Sequence, residues 1–251
     1  MQRVEHGVEW DIVVVTHNSA RDLREMWCGR AFPSTVRIIV VDNGSTDDSA
    51  AVAAEFANIV VTSPNVGLAK SNNVGARLGS GPYIAFCNPD VFITDEDLSY
   101  LKETIDRRDG LVAPRLVGDD GAAQPNGRAF PSPIRQFCRH FLPNSRLANR
   151  YLWPSTEGGE VDWVTGALIG IKRAHFDTIG GWPEGIFLYF EDVEICARAR
   201  DAGIGVYIDE ELKVRHSWGQ ASRSLTSNAA KNHLSSAVKY YRNRPEHILL
   251  V

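Results

Sequence analysis

The N-terminal part of the chain alternates between two patterns. Apolar, largely β-branched runs stand at "DIVVV" (11–15), "VRIIVVD" (36–42), "NIVVT" (58–62) and "YIAFC" (83–87). Their length and continuity predict strands buried on both faces, as in a parallel sheet. Helical spacing fills the intervals at roughly 19–30, 47–57 and 67–79. The order is βαβ, and ligands of such sheets bind outside the carboxyl ends of the strands. Polar residues occupy those ends: Thr16, His17 and Asn18; Asp42, Asn43, Gly44 and Ser45; Asn88, Pro89 and Asp90.

"IAFCNPDVFI" (84–93) carries this furthest. Asn88, Pro89 and Asp90 interrupt two apolar runs where a buried strand would have continued. Taken alone they make an ordinary turn. With two other polar strand ends at the same sheet edge, the stretch predicts a carboxylate presented to a ligand.

From about residue 110 the pattern loosens. "APRLVGDDGAAQPNGRAFPSP" predicts a hairpin followed by a loop, and a basic and aromatic segment (128–153) comes next. "VDWVTGALIGIKRAHFDTIGGW" (161–182) predicts a strand and a short helix, and "EDVEICARARDAG" (191–203) a helix stopping at Gly203. A last strand, "GVYID" (205–209), and a C-terminal helix at about 225–243 follow.

Composition adds limits. A chain of 251 residues can bury a sizeable core as one large domain or two fused halves. A net charge of −4 gives no electrostatic case for nucleic acid as the main partner. Cys28, Cys87, Cys138 and Cys196 lie far apart with no CxxC pair, which fits reduced thiols and a cytoplasmic compartment. No apolar run approaches the ~20 residues that span a bilayer, so neither secretion nor a transmembrane span is expected.

Four motifs carry candidate chemistry. Asp42, before "NGSTDDS", has the position of an Asx turn or N-cap. As an acceptor-only group it would equally receive the ring N3–H of uracil or thymine, a proton that cytosine lacks. In "NVGLAKSNNVGARLGSG" (65–81), Gly67, Lys70, Asn73 and Gly75 share one helical face, close enough to meet a nucleotide. Neither GxGxxG after the first strand nor GxxxxGK[ST] is present, which argues against a dehydrogenase and a P-loop NTPase. In "FLYFEDVEICAR" (187–198), Glu191 and Asp192 open a helix behind Phe187, Tyr189 and Phe190. Burial there would raise a carboxyl toward general-base range while the helix dipole lowers it, and both outcomes stay open. His216, in "VRHSWGQAS", gains meaning only beside Asp90, since one carboxylate and one imidazole on a diphosphate suit Mg²⁺ or Mn²⁺.

In order, "VVVTHNSA", "VDNGSTDDS", "NVGLAKSNNVG", "CNPDV", "WVTGA" and "FEDVEICAR" resemble the family-2 inverting glycosyltransferases of the GT-A fold, most closely their rhamnosyltransferase-like branch. The resemblance implies an α/β fold with a nucleotide-sugar-binding half (1–110), an acceptor-binding and catalytic half (111–223) and a C-terminal helix and tail (224–251). It implies a dTDP- or UDP-sugar donor, a divalent metal, and displacement at the anomeric carbon by an acceptor hydroxyl. By position, Thr16, Asn18 and Asp42 would hold base and ribose, with Lys70, Asn73 and Asn88 also on the donor. Asp90 and His216 would hold the metal, Asp192 would be the base with Glu191 beside it, and Trp163, Gly166 and Ala167 would line the sugar and acceptor pocket. Many relatives carry an acid where Asn88 stands, so Asp90 alone supplies charge there. Such "NPD" variants resemble rhamnosyltransferase-like members and point to dTDP-L-rhamnose. Two other classes are a sugar-phosphate nucleotidyltransferase, whose Gly-rich basic loop after the first strand is missing, and a non-catalytic sugar-nucleotide binder, which would not hydrolyse the donor.

Residues 121–156 contain no acid. Arg128, Arg135, Arg139, Arg146 and Arg150 interleave there with Phe130, Ile134, Phe137, Phe141, Leu142, Leu147, Tyr151, Leu152 and Trp153. Such a segment is either a solvated basic face over a core helix or a surface lying on anionic lipid. The second reading expects peripheral contact through 128–153 at the inner face of the plasma membrane, and a polyprenyl-diphosphate-linked glycan as acceptor.

Overall fold

A computed structural model describes residues 7–152, 159–217 and 227–250. Strands β1 (Trp10–Thr16), β2 (Val36–Asn43), β3 (Ile59–Ser63) and β4 (Tyr83–Cys87) form where the apolar runs predict them. Helices α1 (Ala20–Met26), α2 (Ser49–Ala53) and α3 (Leu68–Leu78) connect them. Alternation along β1 sends Ile12 and Val14 to the core that holds Leu23 and Val52, and Val13 to the core on the α3 side. There a Cβ on Gly75 would lie 2.3 Å from Val13, so glycine lets α3 sit down on β1.

The second half adds β5 (Val91–Phe92), α4 (Asp95–Arg108), β6 (Leu111–Val117), β7 (Gly127–Arg128), α5 (Pro133–Phe141) and α6 (Arg146–Leu152). These are followed by β8 (Trp163–Val164), β9 (Leu168–Lys172), α7 (Arg173–Thr178), α8 (Glu191–Asp201), β10 (Val206–His216) and α9 (Ser227–Asn243). The strand expected within 161–182 is thus two, β8 and β9. The last strand runs beyond residue 209 through a bulge, where Asp209 Oδ1 accepts the N–H groups of Glu211 and Leu212. Of the basic segment, Trp153 and the side chain of Arg150 lie outside the described residues.

Eight strands form one sheet in the order β3-β2-β1-β4-β9-β6-β10-β5. Only β9 and β5 oppose the direction shared by the other six. The carboxyl ends of β1, β2, β4 and β10 therefore meet the start of β9 at one edge. At the opposite edge the buried Asp11 accepts from Arg37 Nε (2.6 Å), Arg173 Nη2 (2.7 Å) and the Gly81 N–H (2.6 Å), tying β1, β2 and α7 together. All four cysteines are free. Among the described residues no helix is long and apolar enough to cross a membrane.

Candidate active site

The order in which the chain adds strands to the sheet reverses between the parallel neighbours β1 and β4, and a cleft of about 450 Å³ opens at their carboxyl ends. His17, Asn43, Asn88, Asp90, Tyr189 and His216 are among its walls. Behind it the first two strand ends are laced together. Asn18, at a φ of 55°, accepts the Thr46 N–H at 2.7 Å and donates its own N–H to Ser45 Oγ at 2.9 Å. The buried Asp42 accepts the backbone N–H and the hydroxyl of Ser45, three residues on, so its carboxylate closes the turn that leads from β2 toward α2. Thr16 stands beside Asp42 in register, and its buried hydroxyl has no partner among the described residues. An orphaned buried hydroxyl at a strand end fits a site that a ligand completes.

Asp90 and His216 meet although 126 positions separate them, because β5 pairs antiparallel with β10 and sets Val91 opposite His216. Asp90 Oδ1 lies 3.4 Å from His216 Nε2. The amide of Gln124 settles which imidazole nitrogen carries the proton. Its Nε2 donates to the His216 carbonyl at 2.9 Å, and a carbonyl only accepts, so Oε1 is the atom 2.8 Å from Nδ1. Nδ1 therefore donates, so in the neutral ring the lone pair is on Nε2, the nitrogen on the side of the Asp90 carboxylate. Lone pair and carboxylate face to face fit a shared cation. Asp22, also in this cleft, has its carboxyl raised by burial and then by the charge of Asp90, so negative charge is concentrated here. Among the described residues no group of three or more His, Cys, Asp or Glu is placed to hold a metal. Asp90 and His216 could offer a cation two protein ligands, which would leave the rest of its coordination sphere to a bound diphosphate and water.

A pocket of about 180 Å³ adjoins the cleft, and Tyr189 lines both. Tyr189 and Phe190 adopt φ of 66° and 67°, a left-handed pair with no glycine that costs backbone energy and turns the chain into α8. The turn is braced from α9, where Ser236 Oγ donates to the Leu188 carbonyl (2.7 Å) and Lys239 Nζ to that of Gly185 (3.0 Å). It aims Glu191 and Asp192 into the pocket wall.

Burial raises both carboxyls, so desolvation outweighs the helix dipole for this pair. The two differ in compensation. Asp192 accepts the N–H groups of Gly166 (3.3 Å) and Val193 (2.9 Å) and faces Arg128, all of which favour its charged form. Glu191 is pushed up further by the charge of Asp192, and its Oε2 has no partner among the described residues.

Trp163 lines this pocket and donates its indole N–H to the Ala129 carbonyl at 2.7 Å. Gly166 donates its N–H to Asp192, and the Ala167 carbonyl accepts the Asn88 N–H at 2.8 Å, so both brace wall residues and neither is itself among the lining residues. Two expected donor contacts are placed elsewhere. Asn73 is buried, with its amide donating to the Trp182 carbonyl and Glu184 and its oxygen accepting the Trp182 N–H, so it staples α3 to residues 182–184. Lys70 is exposed on α3 and not on the cleft wall, and of that helical face only Gly67 reaches the cleft. Another cavity, of about 460 Å³, lies remotely between α4 and the β10 bulge. Its polar groups are already engaged, Arg107 donating to Thr104 and Thr104 to Asp209.

Residues 11–159, more than half of the chain, match the model of glycosyl transferase family 2. The chain belongs to that family. It is similar to the N-acetylglucosaminyl-diphospho-decaprenol L-rhamnosyltransferase of Mycobacterium tuberculosis, 26% identical over 90% of this chain and 82% of the relative. Rhamnosyltransferase WbbL of Escherichia coli is 24% identical over 91% of each chain. In three dimensions the chain is similar to the mannosyltransferase PcManGT of Pyrobaculum calidifontis, solved with GDP-Man and Mn²⁺. The TM-score is 0.60 and identity 15%, over 85% of this chain and 58% of that one. The chain thus spans less than two thirds of that solved chain. Fold and family are those of GT-A glycosyltransferases, and the activity is glycosyl transfer.

Proposed function

We propose that this glycosyltransferase moves L-rhamnose, with inversion, from dTDP-L-rhamnose to a hydroxyl of a polyprenyl-diphosphate-linked glycan. One observation carries the reading: Tyr189 joins two cavities, one with Asp90 and His216 and one with Asp192. Two substrates can therefore meet across one residue, with a carboxylate on the side opposite the diphosphate. Thr16, Asn18 and Asp42 form the corner that receives base and ribose, and Asn88 flanks the diphosphate. Mg²⁺ or Mn²⁺ held by Asp90 and His216 would neutralise charge on the departing nucleoside diphosphate. Asp192, whose N–H donors and Arg128 favour its charged form against burial, removes the acceptor proton, while Glu191, pushed up to about 8, stays neutral beside it. The rhamnosyltransferase relatives support the donor and the lipid-linked acceptor.

The acceptor's lipid places the enzyme on the cytoplasmic leaflet, and α5 supplies a surface for that contact. Gln136 and Arg139 line the pocket, while Ile134, Phe137 and Phe141 are exposed, the reverse of an ordinary surface helix. Co-sedimentation with anionic but not neutral vesicles at low salt is expected.

The deciding test is a panel of dTDP-, UDP- and GDP-sugars assayed for binding in Mg²⁺ or Mn²⁺ and in EDTA, then for transfer to prenyl-diphosphate-linked N-acetylglucosamine. dTDP-L-rhamnose is expected to bind tightest with metal. Asp90→Ala should cost ~10-fold or more of affinity in metal and little in EDTA. Donor binding with neither hydrolysis nor transfer would leave a binding protein.

A further inference from the structure

The pocket beside Asp192 sets two guanidiniums against two carboxyls, and with Glu191 pushed up to about 8 at most one carboxylate, Asp192, balances them near neutral pH. Arg128 and Arg139 both line it, and neither makes an ion pair among the described residues. Arg128 lies over the Trp163 ring at 5.1 Å, with Nε donating to the Pro125 carbonyl at 2.7 Å, so its guanidinium is fixed. Arg139 reaches the same space from α5, and its charge disfavours that of Arg128. Tyr151, buried and hydrogen-bonded to Arg128 and Gln136, completes the wall. Two guanidiniums that face one pocket, with Asp192 near Arg128 but no ion pair on either among the described residues, suit an anionic ligand.

We propose that Arg128, Arg139 and Tyr151 hold the diphosphate of the lipid-linked acceptor, placing its sugar hydroxyl at Asp192. The assignment rests on the acceptor reading given above. It follows from charge and position. The donor diphosphate has its own place by Asp90 and His216, on the far side of Tyr189. A phosphate on Arg139 would lie at the root of α5, whose exposed Phe137 and Phe141, with ring centroids 4.8 Å apart, offer the prenyl chain an apolar path outward. The site thus selects an acceptor that is both anionic and apolar.

The test is calorimetric binding of farnesyl diphosphate, farnesol and inorganic pyrophosphate in EDTA, to the wild type, Arg139→Gln and Arg139→Lys. Arg139 is exposed, so its replacement leaves the fold intact. Farnesyl diphosphate is expected to bind at least ~10-fold tighter than farnesol and to lose ~10-fold in Arg139→Gln, with partial recovery in Arg139→Lys. The Kd for dTDP should not change in either variant. Equal affinity of wild type and Arg139→Gln for farnesyl diphosphate, or its displacement by dTDP, would overturn the site. Arg139-dependent binding without transfer to any prenyl-linked sugar would keep the site and refute the acceptor reading instead.

Discussion

The two edges of the sheet handle charge in opposite ways. At the amino edge of β1, Asp11 is fully buried and each carboxylate oxygen has a donor: Arg37 on one, Arg173 and Gly81 on the other. At the carboxyl edge, Asp22 and Asp90 face each other across a cleft, Glu191 adjoins Asp192, and Arg128 meets Arg139. Like charges brought together at one edge, on a scaffold that compensates charge so fully at the other, mark where ligands complete the structure. Fold stability lies at the first edge and chemistry at the second.

The sharpest way to break this contrast is Asp11→Asn. Arg37 and Arg173 would then share a neutral amide in a buried setting. Losing one member of a buried ion network costs about 3–5 kcal/mol, and the low end applies because both arginines reach solvent. A fall in Tm on the order of 10 °C is expected, with the dTDP affinity of the folded protein unchanged. Loss of nucleotide affinity at temperatures where the variant is folded would show that the two edges are not separable.

Asp192→Asn should do the reverse. Transfer is expected to fall ~10²-fold or more, equivalent to about 2.7 kcal/mol of barrier, while donor affinity and Tm hold. Burial raises the Asp192 carboxyl, so wild-type transfer should decline as pH falls through a value above the ordinary aspartate range. The residual activity of the variant should lack that limb. Near-normal transfer would move the base to Glu191.

How much of each edge was legible in the sequence follows from how local its cause is. β1 to β4 are short, apolar and buried on both faces, so periodicity alone placed them, and Thr16, Asn18, Asp42 and Asp90 came with their carboxyl ends. α4 was missed although Thr94 and Asp97 form a capping box before it, a cue written in adjacent residues. The helical face of Lys70 and Asn73 was visible, but periodicity does not say what a face packs against, and Trp182 took Asn73. Gln124 had no local signature as a site element, whereas the interleaved arginines and aromatics of α5 stood out in the sequence. Gln124 matters because the long β10 carries His216 back to it, and that strand hides behind a bulge whose polar "DEEL" breaks the pattern.

The smallest expected effect concerns Glu191, and it tests whether that carboxyl is neutral in the fold. Burial and Asp192 raise it above its ordinary value of 4.5. Below that value both folded and unfolded chains carry the proton, and the group does not affect stability. As pH rises the unfolded chain ionises first, so stability falls until the folded-state value is passed and then levels off. Glu191→Gln cannot ionise in either state. Its Tm relative to wild type should therefore climb from pH 4.5 upward and reach a plateau in mildly alkaline solution, a gain of a few degrees. Transfer should stay within ~5-fold of wild type, since a neutral amide replaces a neutral acid beside the base. A Tm difference that ignores pH would mean that Glu191 is ionised in the folded protein, and the distinction drawn between the two carboxyls would fail.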